Sequence, residues 1–323
     1  MPRILLALAL AAAVPGSELR FGGWTRIEAD GAPLPISYFN LLPPGPDRCL
    51  GLWFAAASGA EEVVVGLAGE DLRRLPRAPP RFAASLAAYD RDLGGRTSPI
   101  LSRVSVARLR DGRHVALAMI GPAYRGGASE LLPTLFASAS GAAGTWRLLG
   151  PPAGEPAAEI ARRRAGGSTV RSDGGALIEL PDGRLRLLLH WDDRAGIRLA
   201  AMDAAAPEGP WRFVRDARGA IRNLAPPGTW LFPHVAAVDG RWLLTGADAW
   251  PPTAIHGAWS EDALAFTPVA QPLLRAGEVA PGATQVKALR VAWDPATRTL
   301  HGVANPLVGG EWILHSATAV LAR

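Results

Sequence analysis

The sequence predicts an all-β protein, a five-bladed β-propeller closed by an N-terminal strand. Three observations predict it: a hairpin that recurs with an aspartate in its turn, five such turns at similar spacing, and a strand-like run ahead of the first repeat that has no partner of its own. The turn aspartates stand at positions 47, 111, 182, 239 and 294, which are 64, 71, 57 and 55 residues apart. A repeat on this scale is one supersecondary unit, which buries its apolar faces only by stacking on its neighbours.

The first unit runs from Ile36 to Leu42, turns at Pro46-Asp47-Arg48, and returns from Cys49 to Ala56. The second runs from Val104 to Leu109, turns at Arg110-Asp111-Gly112-Arg113, and returns from Val115 to Ile120. The third pairs Ala176–Leu180 with Leu185–Leu189 through Pro181-Asp182-Gly183-Arg184, and the fourth pairs Val235–Val238 with Trp242–Thr245 through Asp239-Gly240. Asp-Gly between apolar runs is a strong hairpin signal, because glycine supplies the positive φ that tight turns require. The fifth runs from Lys287 to Trp293, turns at Asp294-Pro295-Ala296-Thr297, and returns from Thr299 to Ala304. It has three evident strands, the last from Ile313 to Leu321, whereas Leu19 to Ile27 has no blade. Set as the outer strand of the last blade, that run closes the ring and removes exposed sheet edges.

The spacings exceed the usual repeat of about 40 to 50 residues, so long connections are expected on one face. They are 81–99, 151–169, 215–229 and 271–285, with a short helix over Glu155 to Ala165. Two stacked β-sandwiches are the competing all-β arrangement.

With 49% hydrophobic and 20% charged residues, the 323-residue chain has material for one large core and is not globally disordered. Arg3, the apolar run Ile4 to Val14 and the small residues through Ser17, with Ala11-x-Ala13 as a cleavage signal, read as a signal peptide over residues 1–17. The propeller domain is then 18–323, secreted or periplasmic. The apolar run, about eleven residues, is short of the roughly 20 a spanning helix needs, so no membrane insertion is expected after cleavage. Cys49 is the only cysteine, which excludes an intrachain disulfide and leaves stability to the core.

The net charge of +5 comes from 34 basic against 29 acidic residues, and Lys287 is the one lysine. The bases are scattered, Arg162-Arg163-Arg164 being the only tight run, so nucleic-acid binding is not expected. Phosphate-cradling glycine loops, zinc helices and cysteine pairs are absent from the sequence, and no cofactor is expected. The protein is expected to be a monomer.

In a propeller the inner strands start on one face, the Asp-Gly turns lie on the other, and the next loops return to the first. One mouth should therefore gather Tyr38, Asn40, Arg103, Arg171, Asp173, Trp230, Phe232, His234 and Lys287 from strand starts. Returning loops add Tyr124, Glu130, Trp191, Asp192, Asp248 and Trp250. Flat aromatics and acids on one face suit a carbohydrate ligand. The expected ligand contacts are Asn40, Tyr124, Arg171, Trp191, Asp192, Trp230, His234, Trp250 and Lys287.

Leu231-Phe232-Pro233-His234-Val235, the following Asp239-Gly240-Arg241-Trp242, and Gly257-Ala258-Trp259-Ser260-Glu261-Asp262 resemble blades of the five-bladed propeller glycosidases, the arabinanase, xylosidase, invertase and levansucrase group. Glu208-Gly209-Pro210-Trp211 is similar to the end of their third strands, and the likeness runs over roughly residues 100 to 320. The resemblance implies two carboxylates across the mouth, one donating a proton while the other attacks or activates water. Asp173 matches an inner-strand carboxylate, and Glu130 or Asp248 would be its partner. The first blade departs from the pattern, with Tyr38 and Asn40 where an aspartate is expected, and Phe232 precedes Pro233-His234 where an acid often stands. A calcium ion lies at the axis of some relatives, but no acid-rich loop here calls for one. The sequence thus leaves two readings: a glycoside hydrolase-like protein acting on an extracellular or periplasmic oligo- or polysaccharide, or a non-catalytic propeller that binds a glycan or a protein partner.

Overall fold

The structure, a computed structural model, describes residues 19–58, 61–76, 78, 80–83, 99–122, 131–168, 172–192, 197–228 and 230–320. The chain is an all-β propeller. Its first large sheet holds Phe39–Leu42, Leu50–Ser58, Glu61–Gly69 and Pro80–Ala83 in that order. The second holds Pro99–Arg108, His114–Pro122, Leu132–Ser138 and Trp146–Gly150, and the third Ser172–Glu179, Leu185–Asp192, Ile197–Ala204 and Arg212–Phe213. The fourth is built on Leu231–Val238, Arg241–Ala247 and Ala254–Ser260, and the fifth on Gln285–Asp294, Thr299–Val308 and His315–Val320. Gly22–Arg26 pairs antiparallel with His315–Val320 as the outer strand of the fifth sheet. A further small sheet joins three two-residue strands at 28–29, 32–33 and 74–75.

The inner strands pack in chain order, each against the next, and Gln285–Asp294 returns to Phe39–Leu42. Antiparallel meanders joined this way bury both faces of each sheet, which is why strands such as Leu132–Ser138 are buried at every position instead of alternating. The apolar core lies between the sheets. Trp191 and Trp211 are fully enclosed in it, each indole contributing a buried surface large enough to dominate its interface.

The turns behave as their residues dictate. Asp111 and Asp182 each accept the backbone N–H two residues on, at 3.0 Å, while Gly112 and Gly183 take φ of 87° and 84°. Asp239 and Gly240 are both left-handed, at 49° and 80°, as a two-residue hairpin turn requires. Asp47 and Asp294 cap their turns likewise, through the N–H groups of Cys49 and Ala296.

Buried polar side chains clip neighbouring sheets together. Asn40 Oδ1 accepts from Val106 N at 3.1 Å, and Ser105 Oγ from Leu177 N at 3.2 Å. Thr245 Oγ1 donates to Leu289 O at 2.7 Å, and Asn305 Nδ2 donates to Ser37 O at 2.9 Å. Each pairs a backbone group left over where two twisted sheets diverge, and a buried group of that kind is costly unpaired. The expected helix spans Glu155–Ala165, with Glu155 Oε2 accepting from Phe213 N at the edge of the third sheet. No helix among the described residues is long and apolar enough to cross a membrane.

Candidate functional site

The inner strands of four sheets break register at one equivalent place. Arg103-Val104 stand opposite Ala118 alone, Asp173-Gly174 opposite His190, Phe232-Pro233 opposite Gly246, and Lys287-Ala288 opposite Asn305. Two residues against one is a β-bulge, which bends the strand and re-aims its first side chain. Arg103 and Phe232 hold φ of 53° and 52°, and in the third sheet Gly174 holds 78°. The left-handed region is uncommon for arginine and unusual for a bulky phenylalanine, so the surrounding packing must impose it. In the first sheet the inner strand is only Phe39–Leu42, and Ser37 and Tyr38 precede it.

The bulge residues meet at the axis. The Lys287 Nζ lies 3.7 Å from the Tyr38 ring centre, 5.2 Å from that of Phe232 and 5.4 Å from that of Trp312, and donates to Ser37 Oγ at 2.6 Å. The Arg103 guanidinium lies 4.5 Å from the Tyr38 ring and 5.8 Å from Phe232. Tyr38 and Phe232 are themselves 6.3 Å apart. Cations over aromatic faces are attracted by the ring quadrupole, most strongly where water is partly excluded. Lys287 is 5% exposed.

Below this layer Arg290 donates to Phe39 O and Phe232 O, both at 3.1 Å, and so satisfies a carbonyl at the fourth bulge. Burial lowers its guanidinium to about 10, which leaves it charged at neutral pH. His234 is buried beside it. Burial first, then the Arg290 charge, push its pKa well below the ordinary value. The Val291 backbone opposes this weakly, yet neither ring nitrogen reaches a hydrogen bond of ordinary geometry. His234 is therefore a neutral core residue, where a ligand contact was expected.

Several other expected residues are used elsewhere. Asn40 is a sheet clip, and Trp191 is fully buried against Phe213, with ring centres 5.1 Å apart, because its strand faces the inter-sheet core. Trp230 is 6% exposed and packs edge-on against His256. Asp192 is half-buried, and its carbonyl accepts from Arg163. Asp248 spends its carboxylate on its own loop: Oδ1 accepts from Ala249 N at 2.9 Å and Thr253 N at 3.1 Å, and Oδ2 from Thr253 Oγ1 at 3.1 Å. Partial burial alone would raise its pKa, but these donors outweigh it and hold the carboxyl low, the reverse of what a proton donor needs. Tyr124, Glu130 and Arg171 lie outside the described residues, as does the side chain of Asp173, whose backbone sits at the third bulge.

Lys287 and Trp250 remain at the mouth, joined by Tyr38, Arg103, Phe232 and Trp312. The strand-start argument reached Tyr38, Arg103 and Phe232, whereas Trp312 sits on a short added strand, Glu311–Trp312, that carried no signal. Among the described residues no group of three or more His, Cys, Asp and Glu is arranged to hold a metal ion. A cavity of about 650 Å³ lies on the outer flank, lined by Arg26, Glu28, Asp71, Arg73, Arg74 and His315 among others. Its acids are paired, Glu28 with Arg26 at 2.9 Å and Asp71 with Arg73 at 2.8 Å.

No family profile and no curated protein matches the sequence. Solved structures do match in fold. A family-43 β-1,3-galactosidase with galactodeoxynojirimycin superposes with a TM-score of 0.60 at 13% identity, over 93% of this chain and 94% of that one. An exo-β-1,3-galactanase from Phanerochaete chrysosporium with galactose gives 0.60 at 12% identity, over 94% and 66%. The Bacillus subtilis arabinanase gives 0.55 at 11%, over 93% and 96%. The chain shares the propeller fold of these glycoside hydrolases.

Proposed function

We propose that this protein binds an oligosaccharide, as a segment of an extracellular or periplasmic polysaccharide, at the axial mouth of a five-bladed propeller closed by its N-terminal strand. The five large sheets are read as the blades and the small three-stranded sheet as an addition to the rim. The observation that carries the reading is the convergence of Arg103, Phe232 and Lys287, from three different sheets, and of Tyr38, from the segment leading into a fourth, on one layer where three inner strands are bent to deliver them. Aromatic faces take the C–H faces of a sugar ring, and ammonium and guanidinium groups donate to its hydroxyls. The signal-peptide pattern of residues 1–17 supports action outside the cytoplasm.

Binding without turnover is favoured because the Asp248 carboxylate is committed to its own loop and the inner positions of the first and fourth sheets carry Asn40 and Phe232 in place of an acid. Hydrolysis is the second reading, and one observation favours it: Asp173 occupies the bulge position that delivers Arg103, Phe232 and Lys287 in the other sheets. Calorimetry with galactose, β-1,3-galacto-oligosaccharides, arabino-oligosaccharides and xylo-oligosaccharides tests the proposal. At least one series should bind, and Tyr38→Ala should weaken that binding by roughly tenfold or more, about 1.4 kcal/mol. Turnover of any probe that Asp173→Asn abolishes would replace binding alone with hydrolysis. No heat with any probe would overturn both.

A further inference from the structure

Trp250 is 63% exposed, one of only two large apolar side chains among the described residues that stand in solvent. Burying such a ring is worth about 1.5–3 kcal/mol or more, so a chain with this much apolar material has an evident route to hiding it. The loop that carries it is held open. Asp248 caps the turn through Ala249 N, Thr253 N and Thr253 Oγ1, and Asp248 N donates to Ala254 O at 3.2 Å. Val286 N, next to Lys287 in the fifth inner strand, donates to Pro252 O at 2.9 Å, and Ala276 N donates to Thr253 O at 3.1 Å. The indole is thus presented by a segment fixed at both ends, and its conformational cost is met before any ligand arrives.

Its position gives the display a direction. The Trp250 ring stands edge-on to Phe232 with centres 6.3 Å apart, and Phe232 stands 6.3 Å from Tyr38. Three rings therefore run in series from the bulge layer at the axis to open solvent. Tyr38 at the inner end touches Lys287 and Arg103, while Trp250 at the outer end is 63% exposed and has no cation over its ring among the described residues.

We infer that Trp250 is the platform for a second sugar unit, so that the ligand has at least two linked residues, the inner one at the Lys287–Tyr38 layer and the outer one stacked by its C–H face on the indole. Asp248 is the positioning residue of that subsite. The inference rests on the proposed binding function and goes beyond it in assigning ligand length and a specificity-determining residue.

Calorimetry on the full-length protein, with a monosaccharide and the matching di- and trisaccharide of whichever series binds, tests it. The wild type should bind the disaccharide about tenfold tighter than the monosaccharide, with little added by a third unit. Trp250→Ala should remove that ratio, Trp250→Phe should retain most of it, and Asp248→Ala should lower it while urea denaturation confirms the fold. Tyr38→Ala, in contrast, should weaken every length alike. Equal length dependence in wild type and Trp250→Ala would overturn the second subsite and leave the axial site standing. A wild type that binds monosaccharide and trisaccharide equally would do the same, and one that binds no probe would remove both.

Discussion

The two faces of this propeller solve the same geometric problem by opposite means. On the turn face, the second and third reversals are closed by residues adjacent in sequence: the aspartate accepts the N–H two positions on, the following glycine takes positive φ, and a nearby arginine pairs with the aspartate, Arg113 with Asp111 and Arg184 with Asp182, both at 2.7 Å. On the mouth face, the strands are bent by bulges whose left-handed residues are arginine and phenylalanine, held there by groups far away in the chain. Arg290 reaches carbonyls 251 and 58 positions distant, and Lys287 reaches Ser37 across 250. Closure on the turn face is thus mainly local, with a few ties between turns such as Arg110 to Leu180 O and Pro181 O and Arg298 to Asp239, whereas the mouth layer is a single network built from residues far apart in the chain.

The largest test of that contrast is Arg290→Ala. It leaves Phe39 O and Phe232 O without a donor and opens a void under the mouth, and should cost about 3 to 5 kcal/mol in urea denaturation. A loss under about 1 kcal/mol would mean that the mouth is as modular as the turns.

An intermediate effect comes from pH. His234, buried and next to Arg290, is held well below the ordinary histidine value, and His114, His301 and His315 are lowered too, each chiefly by burial. The unfolded chain therefore binds more protons, so stability is complete above about pH 6.5 and declines as the pH falls below it. For His234 the decline should be visible between pH 7 and 5, because burial and the Arg290 charge hold its folded-state pKa well below the unfolded one. Thermal denaturation of wild type and His234→Leu checks this, the variant showing the shallower slope between pH 7 and 5. Identical slopes would acquit the buried ring.

The smallest effect belongs to the turn face. Asp111→Ala removes an exposed cap and its ion pair, and should cost less than about 1 kcal/mol, with no change in the binding proposed at the mouth. A loss matching that of Arg290→Ala would erase the distinction between the faces.

The same contrast explains what could be read in advance. Asp111-Gly112 and Asp182-Gly183 announce their hairpins because everything that closes them lies within four residues. The all-β class and the repeat follow from that, and so does the strand-like run at 19–27, which pairs as Gly22–Arg26. Residues at the strand starts, Tyr38, Arg103, Phe232 and Lys287, were reached by the same counting. The counting did not give their packing into one layer, nor the use of Asn40 as a sheet clip, of Trp191 in the core and of Asp248 as a loop cap.

The sequence by itself determined the paired hairpin strands, their turns and which ends of those strands share a face, because apolar runs and turn residues act over a few positions. Only the tertiary structure decided which side chains at that face meet. Whether an asparagine faces a ligand or a neighbouring backbone, and whether an indole is enclosed or held out, depends on one- and two-residue shifts between strands hundreds of positions apart. No local propensity encodes such shifts, and the packing of one sheet on the next selects them.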